Sequence, residues 1–73
     1  MNTQNLVKMA NQIGQFFEAE PDQAQAASDV ATHMKRFWDP RMRKAIIEYA
    51  GKGGEGLLPI VLQAVSANPQ LLA

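Results

Sequence analysis

The step Asp39-Pro40 constrains this chain more than any other pair of residues in it. In "WDPRM", Asp39 can accept a hydrogen bond from a free N–H of the turn that follows, while Pro40 has the φ of a first helical position and no N–H to waste. A helix must therefore start at residue 40, and the preceding one must end near Phe37. Trp38 falls in the corner between them, where its ring can cover both. The surrounding stretch "MKRFWDPRMRK" also holds five of the seven basic side chains, Lys35, Arg36, Arg41, Arg43 and Lys44. Aromatic and cationic groups are thus concentrated at one bend.

The rest of the pattern is helical on both sides of that bend. Leu6, Ala10, Ile13 and Phe17, with Met9 and Phe16 beside them, make one apolar stripe, which predicts a helix over 3–19 capped by Asn2 or Thr3. Gly14 inside it signals either close packing or simple tolerance. Pro21 ends this helix and Asp22 caps a second over 22–37, whose inner face reads Ala27, Val30, Ala31, Met34, Phe37 and Trp38. A third helix over 40–50 turns Met42, Ala45, Ile46 and Tyr49 inward and stops at the glycines of "GKGGEG". A fourth, over 57–67, carries Leu57, Ile60, Val61, Ala64 and Val65 on one stripe, and Leu58 and Leu62 widen it past half the circumference. A helix so apolar is either central or covered by something else, and in so small a domain covering is the expected answer. The fold expected is all-α: residues 1–73 as a single small domain of about four short helices in an orthogonal or irregular bundle.

With 73 residues the chain buries only about 60% of the surface it exposes when unfolded, so a domain of this size needs extra support. It has no cysteine for a disulfide, and one histidine, His33, does not make a structural zinc site. A partner chain is the remaining source of stability. Seven basic and seven acidic residues cancel, which removes the bulk attraction of a dedicated nucleic-acid binder. "MNTQNLVKMANQIG" has no apolar core of signal-peptide length, and no run reaches the roughly 18 apolar residues of a membrane span, so a cytoplasmic, non-membrane protein is expected.

No catalytic, cofactor or metal site is expected in this chain. "GKGGEG" lacks the spacing of a phosphate loop and follows no strand, so it reads as a turn after a helix. His33 reads as a boundary residue making one hydrogen bond. The basic cluster has three readings: a solvated helix face, a protein-docking surface, or a backbone-tracking nucleic-acid patch. Spacing alone does not separate the first two, and the inward placement of Phe37 and Trp38 leaves few rings for base stacking.

Three segments, "LVKMANQIGQFF", "HMKRFWDPRMR" and "GGEGLLPIV", together resemble the delta subunit family of NAD-dependent, molybdenum-containing formate dehydrogenases of bacteria. The resemblance runs from Leu6 to about Val61, and Phe37 to Arg43 is its most specific part. It implies a noncatalytic accessory subunit of a cytoplasmic complex. In such complexes the alpha subunit carries bis-molybdopterin guanine dinucleotide, and other subunits carry iron–sulfur clusters, FMN and the NAD site. The implied role is assembly or stability of the molybdenum enzyme through protein–protein interaction, with the alpha subunit as partner.

An Arg- and Trp-rich corner has the composition of an interface hot spot. Phe37, Trp38, Asp39, Pro40 and Met42 are expected to form a rigid structural corner. Arg36, Arg41, Arg43 and Lys44 are expected to point outward from it toward a partner, helped by the apolar Ile47, Leu58 and Leu62.

Overall fold

Asn2, Asp22 and Asp39 each stand just before a helix and accept hydrogen bonds from the free N–H groups of its first turn. A computed structural model of the chain describes residues 2–72, the side chain of residue 71 excepted. Asn2 Oδ1 accepts from the backbone of Gln4 at 2.8 Å, Asp22 Oδ1 from Gln25 at 3.1 Å, and Asp39 Oδ1 from Met42 at 3.0 Å. These caps open α1 (Thr3–Phe17), α2 (Gln23–Phe37) and α3 (Pro40–Gly51); α4 (Pro59–Ala67) and the single turn α5 (Pro69–Leu72) each begin with a proline. The fold is all-α, and no strand occurs among the described residues. Its radius of gyration of 10.7 Å is close to the ~11 Å of a folded chain of this length, so the helices pack on one another rather than extend.

The helix ends explain where the expected boundaries shift. α1 stops at Phe17, two residues early, in a turn where Glu20 donates its N–H to the Phe17 carbonyl. At the end of α3, Gly53 N–H bonds to Ala50 O and Gly54 N–H to Tyr49 O. That paired pattern is a Schellman motif, and Gly53 supplies the left-handed φ of +114° that it needs. "GKGGEG" is thus a helix stop. Leu57 and Leu58 lie before the fourth helix rather than in it, with Leu58 at its cap position.

The fourth helix corrects the sequence reading most clearly. α4 packs against α1, α2, α3 and α5, so its broad apolar surface is used inside the domain rather than covered by another molecule. Ile60, Val61, Ala64 and Val65 are buried, and Leu58 and Leu62 are half-buried against the core. Gly14 shows how closely α1 approaches: a Cβ there would lie 2.6 Å from Val61 Cγ2 and 3.1 Å from Ile60 Cγ2. Of the two readings of that glycine, close packing is the one realised.

The segment before α4 is fastened by two side chains. Asn11 on α1 donates from Nδ2 to Gly56 O and accepts at Oδ1 from Leu58 N–H, both at 2.9 Å. It so fixes the residue at the cap position of α4, whose own side chain makes no capping bond. Tyr49 donates its hydroxyl to Glu55 O on the same segment. α5 closes the far end, with Leu72 buried among α2, α3 and α4.

Candidate functional site

The corner begins where α2 runs out of partners for its last carbonyls. Trp38 leaves the helix in an extended conformation, φ −91° and ψ 142°, after its N–H has closed on Met34 O. That extended step returns the indole to the core, where it is 6% exposed. Asp39 then caps α3, and Pro40 takes its first position. One turn into α3, Arg43 reaches back: its Nη1 donates to Trp38 O at 2.9 Å and Lys35 O at 3.0 Å.

Arg43 was expected to point toward a partner, and the structure corrects this. It is only 9% exposed and serves as a brace. The physical reason is that the C-terminal end of a helix leaves its last carbonyls without intrahelical N–H donors and carries partial negative charge, and a guanidinium answers both needs. Its Nε is buried and has no hydrogen-bond partner among the described residues, so the brace is not fully satisfied. Lys35 and Arg36, in the last turn of α2, are exposed, as are Arg41 and Lys44.

The cluster that looked continuous in sequence is therefore divided. Arg36 borders a hollow with Phe17, His33 and Phe37; Lys44 borders another with Pro40, Ile47 and Leu72; Arg43 is inside. With Arg43 turned inward, four of the five cations of that stretch remain at the surface. Ile47, expected on an exposed apolar surface, is half-buried beside Leu72, and Met42 is half-buried in the corner as its inward position requires.

Phe37 is the second correction. Expected inside, it is 67% exposed, and Phe16 on α1 is 77% exposed. Phe37 ends α2, and it is the next residue, Trp38, that turns into the core. The two exposed rings end a chain of aromatic contacts. Phe16 meets Phe17 edge-on at 5.0 Å between centroids, Phe17 meets His33 at 6.2 Å, and His33 lies against Phe37 at 4.7 Å. These spacings are those of favourable ring pairs. His33 is half-buried, at the boundary expected of it, and is packed between two phenyl rings; its side chain makes no hydrogen bond among the described residues.

Two hollows flank the Phe17–His33 pair. One, an open groove of about 340 Å³, is lined by Met9, Gln12, Ile13, Phe16 and Trp38 together with that pair. The other is lined by Asp29, Thr32, Arg36 and Phe37 with the same pair. Sequence reasoning missed this face because Phe16 and Phe37 both sit at the apolar arc of their helices. The available signal was their position in the last turn, where a helix has little left opposite it. Among the described residues, no three of His, Asp and Glu gather as metal ligands, and no helix is long and apolar enough to cross a membrane.

Taken together, the fold and this surface define a small all-helical domain whose most distinctive exposed feature is an aromatic face beside a braced corner. The chain belongs to a family of formate dehydrogenase subunits: residues 5–65 match the family of the NADH-dependent formate dehydrogenase delta subunit FdsD. No curated protein and no solved structure matches the chain significantly.

Proposed function

We propose that the chain is a noncatalytic accessory subunit of a cytoplasmic NAD-dependent formate dehydrogenase, supporting assembly or stability of the alpha subunit. In this reading bis-molybdopterin guanine dinucleotide, the iron–sulfur clusters and FMN reside on other subunits. The donor set of this chain does not suit an iron–sulfur cluster, which takes thiolate or imidazole ligands: it has no cysteine, and its one histidine is held between two phenyl rings. No step of formate oxidation is derived through it.

The observation that carries the reading is the family match over 5–65 in a domain whose exposed aromatics are not needed to close its own core. Aromatic side chains are enriched at protein–protein interfaces, and these two are joined by ring contacts across one face. The test is to produce the enzyme with and without this chain, then measure the yield of molybdenum-loaded alpha subunit and formate-dependent NAD reduction per molybdenum. The expected result is a severalfold lower yield without the chain and unchanged turnover per molybdenum. Lower turnover at full loading would instead make the chain part of the catalytic machinery.

A further inference from the structure

The aromatic face has a shape and a charge that select one kind of occupant. Two adjacent hollows separated by a single ring pair suit two side chains three or four positions apart on a helix, whose Cβ atoms lie about 5–6 Å apart. The face lies between two helices, and the described residues offer no strand edge on which an extended peptide could pair. The hollow beside Phe37 has one lining carboxylate, Asp29, which already accepts from the Gln25 side-chain amide at 2.8 Å. That bond from a neutral amide leaves Asp29 its charge, but Asp29 is half-buried. The guanidinium of Arg36 on the same hollow is exposed, with exposed Lys35 next to it in the last turn of α2, so cations outnumber the carboxylate at this rim.

We propose that the groove walled by Phe16 and Phe37 seats one amphipathic helix of a partner subunit, whose apolar side chains fill the two hollows and whose carboxylate meets Arg36. The proposal rests on the reading of this chain as a subunit of a larger enzyme. Of the residues expected from sequence to meet a partner it keeps Arg36, and it places the contact on the aromatic face rather than on Arg41, Arg43, Lys44, Ile47, Leu58 and Leu62. Phe16 and Phe37 act as walls, and Trp38 and Ile13 form the floor of the first hollow. Arg36 supplies direction, because a guanidinium pairs with a carboxylate in a fixed planar geometry.

The test uses the full chain produced together with the other subunits of its enzyme. Benzoylphenylalanine is placed at position 16, 37 or, as a control on the basic face, 41, and the irradiated complex is mapped by mass spectrometry. Crosslinks from 16 and 37 are expected in one helical segment of another subunit that carries apolar residues three or four apart and an Asp or Glu beside them. Phe16→Ser with Phe37→Ser should lower recovery of the complex at least tenfold while leaving the circular dichroism of the isolated chain unchanged, and Arg36→Glu should lower it less. A complex that crosslinks only from 41, or survives the double substitution, overturns the groove and leaves the subunit reading standing. Crosslinks between two copies of this chain would make the face a self-contact and overturn the proposal. If the parent chain forms no complex, the subunit reading fails and takes this inference with it.

Discussion

Phe37 and Trp38 are neighbours, and Arg41 and Arg43 stand two positions apart, yet each pair is split between surface and interior. The corner keeps Trp38 and Arg43, whereas the aromatic face and the solvent keep Phe37 and Arg41. Residue type does not decide the outcome. What decides it is local backbone: Trp38 is buried because the chain leaves the helix at that residue, and Arg43 because the end of α2 presents free carbonyls one turn away. Side chains that satisfy such needs become fold, and their neighbours are left free to make contacts.

The largest effect expected from breaking this contrast is at Trp38. Trp38→Ala should destabilise the domain by about 3–5 kcal/mol, which is comparable to the whole stability expected of so small a chain. Circular dichroism at 25 °C should show a largely unfolded variant. A variant that melts within a few degrees of the parent would mean that the indole does not hold the corner.

Arg43→Ala follows, and it tests whether a cation can be structural while an identical one nearby is not. Losing two charge-assisted bonds to carbonyls at the end of α2 should cost about 2–3 kcal/mol in urea unfolding. Arg41→Ala should stay within about 0.5 kcal/mol. Arg43→Lys should recover only part of the loss, since a point charge on a flexible stem does not reproduce the planar fork. Equal losses at 41 and 43 would erase the distinction between corner and surface.

How much of this was legible depended on whether the signal was local. Asp22 and Asp39 announced their helices because a cap acts within three residues, and Gly53 stopped α3 for the same reason. The central place of α4 was not legible, since a broad apolar circumference looks the same whether neighbours or a partner cover it. Arg43 was hidden for another reason: its acceptors, Lys35 O and Trp38 O, are backbone atoms that no side-chain pattern reveals. The clamp of Asn11 on Gly56 and Leu58 spans more than forty residues and has no local signature either. Resemblance identified the family without locating its contact face.

Gly14→Ala sharpens the comparison from behind, because α1 turns Gly14 to α4 while its other side forms the groove. In an open helix this change would gain about 1 kcal/mol. Here the new methyl meets Val61 and Ile60, whose β-branched side chains have little rotamer freedom to yield. Overpacking of about 1–3 kcal/mol should outweigh the gain, leaving a net loss of about 1 kcal/mol by thermal melting. Gly51→Ala, with nothing within 4 Å of its Cβ, is the control that should not destabilise. Stabilisation by both substitutions would show that α1 can move away from α4 freely.

The smallest effect on the fold is expected where the largest effect on association is proposed. Phe37→Ala removes a ring that is mostly in solvent, and its contact with His33 is an exposed one, so the loss should stay within about 0.5 kcal/mol. Phe16→Ala should behave alike, because its edge contact with Phe17 adds little once water reaches both rings. Their neighbours supply the scale: Trp38, one residue on, is worth several times more to the fold. If urea unfolding instead shows losses above about 1.5 kcal/mol at either ring, the aromatic chain is stiffening α1 against α2. The exposed face would then belong to the fold in the same sense as the corner, and the contrast between them would reduce to one of degree.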